Sequence, residues 1–295
     1  MHDAAFYIQL LLSGVTVGSL YALIAIGYTM VYGILRLINF AHGDIFMMAG
    51  FFMVYISASC SLAVSIPLVL LLTVLLGVAI ERAAYKPLRT APRMSVMISA
   101  IGVSYLLQNL ALLIFGADAK SFTSVVSLKP IKLFDGQVSI TGEAVVTIIT
   151  CIVIMVGLTL FVNKTKAGKA MQAVSEDKGA AQLMGINVNA TITLTFAIGS
   201  ALAAVAGALM CSAYPNLTPY SGTMPGIKAF VAAVFGGIGS IPGAMIGGLL
   251  IGVIEIIGKA YISSQITDAI VFAILVIVLL VKPTGILGKN IQEKV

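Results

Sequence analysis

Hydrophobic residues in this chain come in long, nearly unbroken runs, without the short amphipathic rhythm of a water-soluble helix or strand. The runs cover roughly 6–34, 39–57, 61–80, 94–115, 144–162, 190–212, 227–238, 242–258 and 266–281. A helix needs about 20 apolar residues to cross bilayer hydrocarbon, and most of these runs reach that length. The run 227–238 does not, and it ends in the helix-breaking sequence Gly239-Ser240-Ile241-Pro242-Gly243. The pattern predicts an all-α integral membrane protein with a single transmembrane domain over 1–295. It holds about eight transmembrane helices and a short broken or re-entrant helix, the latter forming a pair with its return helix over 227–258.

Charges between the runs set the orientation. Segment 81–93 carries Arg82, Lys86, Arg89 and Arg93 against Glu81, a net charge of +3. Segment 163–189 carries Lys164, Lys166, Lys169 and Lys178 against Glu176 and Asp177, and the tail 282–295 carries Lys282, Lys289 and Lys294 against Glu293, each a net +2. Segment 116–143 balances to zero. Lys and Arg concentrate in cytoplasmic loops, so the three basic segments face the cytoplasm and 116–143 faces outward. Counting crossings back puts the N-terminus outside and Arg36 at the inner end of the first helix. Counting forward requires 227–258 to enter and return on one side, which again marks a broken pair. One more re-entrant piece within 34–60 would reverse the N-terminus. No Lys or Arg precedes the first run, so it is read as a permanent helix and not as a signal peptide. In the outer segment, Asp135-Gly136 between 131–134 and 137–140 predicts a hairpin with a two-residue type I′ turn. It is either an ordered linker or a contact surface for an external partner.

Composition agrees with the pattern. Hydrophobic residues make up 60% of the chain and charged residues 9%, against about 25% charged in soluble domains. Mean hydropathy is +1.09. The net charge of +6 follows from the basic inner loops and calls for no nucleic-acid partner. Cys60, Cys151 and Cys211 are far apart and read as small core residues. There is no phosphate-cradling P-loop, no HExxH and no GxSxG, and His2 and His42 lie 40 positions apart. The sequence predicts a non-catalytic chain with no catalytic residues, no metal ligands and no cofactor of its own. Uphill transport would draw its energy from another subunit or from an ion gradient.

The most informative inner segment is 163–189. Ser175 is a helix cap, Glu176 and Asp177 complement the first turn, and Gly185 is a stop. These residues predict a short polar helix at the inner face, either a bare surface helix or one that docks into a groove on another protein. Here a resemblance enters. Ala180-Ala181-x3-Gly185 resembles the core of the EAA-x3-G coupling motif of ABC importer permeases, with the acidic position displaced to Glu176 or Asp177. The stretch Gly18-Ser19-Leu20-Tyr21-Ala22-Leu23-Ile24-Ala25-Ile26-Gly27-Tyr28 resembles the first helix of LivH-type branched-chain amino-acid permeases. So do Asn39-Phe40-Ala41-His42-Gly43-Asp44, Gly236 through Gly248, and Lys282-Pro283-Thr284-Gly285-Ile286-Leu287-Gly288. The resemblance covers nearly the whole chain except 116–143. It implies a bacterial inner-membrane permease paired with a second, related permease and driven by two cytoplasmic ABC ATPases. A periplasmic binding protein would deliver leucine, isoleucine or valine. It also implies that Ser175, Glu176, Asp177, Ala180, Ala181 and Gly185 couple to an ATPase.

Several polar or small residues lie in the membrane plane. Gly239, Gly243, Gly247, Gly248 and Gly252 have small-x3-small spacing, which lets helix backbones approach closely and suits either static packing or sliding during gating. The turn at Gly239, Ser240 and Pro242 either lines the translocation path, where broken-helix ends meet anionic groups, or is a structural turn near the inner surface. Asn39, as an N-cap, sits with His42 and Asp44 at the start of the second helix, and the three are either capping groups or a gate. Glu255 and Lys259, four apart, predict a structural or snorkelling pair in preference to a proton relay. An ion-coupled secondary transporter and an ABC permease for urea or amides remain as alternatives.

Overall fold

The computed structural model describes residues 4–36, 38–122, 124, 126, 128–133 and 136–288. In chain order the elements are α1 (Ala4–Leu35), α2 (His42–Ser59), α3 (Leu62–Ile80), α4 (Arg93–Phe115), β1 (Lys120–Ser121), β2 (Ile131–Leu133), β3 (Val138–Ile140), α5 (Gly142–Lys164), α6 (Lys166–Glu176), α7 (Lys178–Leu183), α8 (Val188–Ala213), β4 (Asn216–Leu217), α9 (Thr223–Gly236), α10 (Ile241–Tyr261) and α11 (Ser264–Val281). A π-turn over Glu81–Tyr85 extends α3. Among the described residues seven helices are long and apolar enough to cross a membrane: α1, α3, α4, α5, α8, α10 and α11. Helix α2 has 18 residues but carries His42 and Asp44 in its first turn. Helix α9, with 14 residues, is the short member of the broken pair.

The helices sort by enclosure. The most apolar windows of α1, α8 and α10 are 67%, 61% and 50% buried, whereas those of α5 and α11 are 11% buried. Helix α1 is hydrophobic on all sides, and Ala22 through Ile26 are almost fully buried, as befits a helix surrounded by others. The outer helices α3, α4, α5 and α11 present leucines, isoleucines and valines outward, the surface that lipid solvates.

Glycine decides how closely the central helices approach. A Cβ at Gly252 would sit 2.2 Å from the Gly18 nitrogen, and one at Gly248 would sit 2.5 Å from the Ala22 Cα, so these two glycines seat α10 on α1. Gly243 and Gly247 meet backbone oxygens of Gly236 and Ala232 instead and seat α10 on α9. The glycines with small-x3-small spacing therefore form two stripes on α10, each against a different neighbour.

One sequence expectation holds in part and another changes. The β2–β3 hairpin exists, with Leu133 paired to Val138, the register expected of a turn at 135 and 136. Gly136 there has φ +90°; Asp135 lies outside the described residues. Cys151 and Cys211 are buried, but Cys60 is exposed at the end of α2 and is no core residue. Strands β1 and β4 pair antiparallel, and the Phe122 amide donates to the Pro215 carbonyl at 2.9 Å. This ties the outer segment to the chain leaving α8.

Candidate functional site

The segment between α5 and α8 folds as two short helices, not one. Thr165 caps α6, its hydroxyl accepting from the Gly168 amide at 3.0 Å. Met171 and Val174 bury one face of α6, and that packing carries the helix past the expected boundary to Glu176. Ser175 is thus no N-cap. It lies in the last turn of α6, and its hydroxyl donates to the Gln172 carbonyl at 2.6 Å. The cap of the next helix is Asp177, whose Oδ1 accepts from the Gly179 and Ala180 amides at 2.7 and 3.0 Å. Glu176 ends α6 and does not open α7.

Helix α7 ends at the expected glycine. The Gly185 amide donates to the Gln182 carbonyl and the Ile186 amide to the Ala181 carbonyl, each at 3.0 Å, with φ +83° at Gly185. This is a Schellman closure, and its left-handed residue favours glycine. Ala181 is buried on the inward face and Ala180 is exposed on the other. Beside Ala180, Leu183 is 91% and Met184 82% exposed. The two side chains stand together on a polar segment too short to span a bilayer. Sequence reasoning missed both; the available signal was two consecutive large apolar residues in an otherwise polar loop. The pair of helices is fastened to the bundle where the Arg36 guanidinium donates to the Ser175 carbonyl at 3.2 Å.

At the start of α2 the structure brings Asn39, His42 and Asp44 together, all almost fully buried. Asn39 is not the N-cap expected of it. That position is Ala41, with no side-chain capping bond, because the Asn39 amide oxygen is engaged by the Tyr85 hydroxyl at 2.7 Å. His42 stacks edge-on against Tyr28 with ring centres 4.8 Å apart, and its Nε2 has no partner among the described residues. A Cβ on Gly27 would meet that nitrogen at 2.3 Å. Asp44 accepts from the Ser104 hydroxyl and from the Gln108 amide, the latter at 3.0 Å, which ties α2 to α4.

The broken pair turns through Gly237, Ile238, Gly239 and Ser240, with φ +107° at Gly237 and +96° at Gly239. Ser240 caps α10 through the Gly243 amide at 3.2 Å, and Pro242 occupies the first turn, where its missing N–H is harmless. The C-terminal segment closes over this turn: the Ile286 and Leu287 amides donate to the Phe235 and Gly236 carbonyls at 2.9 Å.

An ion cluster unites four helices at the other end of α9 and α10. Glu255, 1% exposed, accepts from Lys228 at 2.9 Å, Lys259 at 2.5 Å and the Tyr21 hydroxyl at 2.8 Å. Lys228 also pairs with Asp268 at 2.6 Å. The expected Glu255–Lys259 pair is present but is only the exposed edge of a larger network. Lys228 and Asp268 were missed, although each interrupts an otherwise apolar run.

Comparison with known proteins gives one consistent answer. Residues 10–279 match the family model described as branched-chain amino acid transport system / permease component. The chain is 45% identical to the high-affinity branched-chain amino acid transport system permease protein LivH of Salmonella typhimurium, over 98% of both chains. It is 44% identical to LivH of Escherichia coli, again over 98% of both. It is also 44% identical to the permease protein BraD of Pseudomonas aeruginosa, over the full length of both.

Proposed function

The chain belongs to the family of branched-chain amino acid transport permease components, and from that premise we propose how it works. It is a multi-pass inner-membrane permease of an ABC importer, carrying leucine, isoleucine or valine without catalysing a reaction itself. ATP hydrolysis belongs to two cytoplasmic subunits, a second related permease completes the path, and a periplasmic protein delivers the substrate.

The observation that carries this reading is the exposed pair Leu183 and Met184 at the end of α7. Two large apolar side chains held out beyond the helical bundle on a rigidly capped helix form a knob suited to a hydrophobic groove. Asp177 and Gly185 fix the two ends of that helix. Ala181 seats it on the bundle, and Ala180 lies on the docking side. Ser175 and Glu176 belong to α6 and lie where the helix pair meets the bundle through Arg36. Movement of the ATPases would reach the membrane helices through this pair.

Within the membrane, Asn39, His42 and Asp44 form the candidate gate. Their buried polar atoms are satisfied only in part, which favours a role over mere packing. Gly239, Ser240 and Pro242 form the turn that holds α9 against α10 beside the path.

The test is reconstitution into liposomes with the two ATPases, the second permease and the binding protein. ATP-dependent accumulation of leucine is the expected result. Equal accumulation without ATP under a proton or sodium gradient would show an ion-coupled transporter, and transport of urea or amides in place of leucine would reassign the substrate.

A further inference from the structure

A cavity of about 280 Å³ lies between the inner end of α1, the segment joining α3 to α4, and the α6–α7 junction. Arg36, Arg89, Arg93 and Lys178 line it, with Glu176 as the acid on its wall and Val96 among its apolar residues. Four cations from three separate parts of the chain converge there. Two already have partners: Arg89 is ion-paired with the buried Glu81 and bonded to Asn189, and Arg93 has an interaction of its own. Even so, the Arg89 Nε is buried with no acceptor among the described residues. Arg36 adopts φ +54°, a left-handed backbone uncommon outside glycine, and reaches Ser175 from there.

We propose that this cavity binds a phosphate group at the cytoplasmic surface, carried by an anionic lipid headgroup or by a soluble phosphate compound. Guanidinium groups match phosphate oxygens in geometry as well as charge. A basic recess between helices at the inner leaflet, with apolar residues beside it, is the form that retains anionic lipids. Burial, then Arg89 and Arg36, hold the Lys178 ammonium below the ordinary lysine range. The bound phosphate would bridge the bundle and α7, which places it where the ATPase docking helix is anchored. The cytoplasmic assignment rests on the permease reading above.

The experiment is native mass spectrometry of the full chain in complex with its partner subunits. The complex is incubated with phosphatidylglycerol, phosphatidylcholine or inorganic phosphate, and compared with an Arg36→Asn/Arg93→Gln variant. Asparagine tolerates the left-handed backbone at position 36. Preferential retention of phosphatidylglycerol, reduced about tenfold for each cation removed, assigns a lipid phosphate. Variant-sensitive binding of inorganic phosphate without lipid preference assigns a soluble one. Equal retention of every probe by both forms overturns the proposal. A second measurement covers a variant that fails to assemble. In the unaltered protein, acylation of Lys178 by an amine reagent is expected to slow when phosphatidylglycerol or phosphate is added, and no slowing with either overturns the proposal. Neither readout needs transport. A chain that holds phosphate but imports no leucine refutes the transport reading alone, and one that imports leucine with no phosphate site refutes this inference alone.

Discussion

Replacing Glu255 by leucine tests whether the four-helix ion cluster stabilises the bundle as a unit. The Glu255 side chain is 2% exposed and accepts three hydrogen bonds. Its loss strands the Tyr21 hydroxyl and deprives Lys228, 6% exposed, of one of two partners. Breaking a buried pair from one side costs about 3–5 kcal/mol. The retained Asp268 softens the blow to Lys228, whereas the orphaned tyrosine adds about 1–3 kcal/mol, so the net cost stays near ~3–5 kcal/mol. Lys228→Met is expected to be milder, because Glu255 keeps Lys259 and Tyr21, and Asp268 is 32% exposed and turns to water. The sharp expectation concerns the pair of changes. Replacing both buried ions by apolar groups removes the desolvation penalty along with the attraction. Lys228→Met/Glu255→Leu should therefore be more stable than Glu255→Leu alone. Reversible unfolding in mixed SDS micelles, followed by circular dichroism, measures all three variants. If the double variant costs the sum of the singles to within ~0.5 kcal/mol, the residues are not coupled and the reasoning fails.

Three further outcomes are expected. Leu183→Ser and Met184→Ser should each weaken ATPase association by about 10- to 100-fold, the equivalent of losing ~1.5–3 kcal/mol of apolar burial, with unfolding midpoints unchanged; co-purification of the ATPases checks this. Gly185→Ala places a Cβ on a left-handed residue with open space around it, so it should cost about 1–2 kcal/mol of backbone strain and reduce ATP-driven uptake without unfolding the bundle. Gly252→Val should lower the unfolding midpoint sharply because a Cβ there meets the Gly18 backbone at 2.2 Å, whereas Gly102→Ala, with nothing within 4 Å, should leave it unchanged.

How much of this was legible in the sequence depended on the range of the interaction. The spans, the broken pair and the Gly185 stop rest on local properties, run length and backbone permissiveness, and all are visible in a short window. The helix boundary near Ser175 was not. Ser175, Glu176 and Asp177 are all residue types that open helices, and the choice among them falls to Met171 and Val174, which pack against the bundle and prolong α6. Asn39 misled for the same reason: it had the chemistry of a cap, but Tyr85, 46 positions away, claims its side chain. Glu255 showed its neighbour at four residues and hid Lys228 at 27. A lysine inside an apolar half-helix was the visible clue, since such a charge persists only with a partner.

The two kinds of helix contact together constrain how the bundle can move. Backbone-to-backbone seats at Gly18, Ala22, Gly248 and Gly252 join α1 to α10, and those at Gly236, Gly243 and Gly247 join α9 to α10. The ion cluster adds a tie from Tyr21 in α1 through Lys228 and Glu255 to Asp268 in α11. Bending any one of these helices alone would open close-packed contacts or strand a buried charge, and packed interiors resist both. Moving the four as one body keeps all of these contacts. By contrast, α2 is held to α4 by the neutral donors Ser104 and Gln108 on Asp44, contacts that water could replace at little cost. The candidate gate therefore lies between α2 and α4, since on its other side α2 is seated on the start of α9 through Gly43 against Gly222 and Gly226. The inner-face helices lean on α1 through Arg36, so under the proposed function a push from the ATPases would reach that body first, and the gate would respond as the body turns against it.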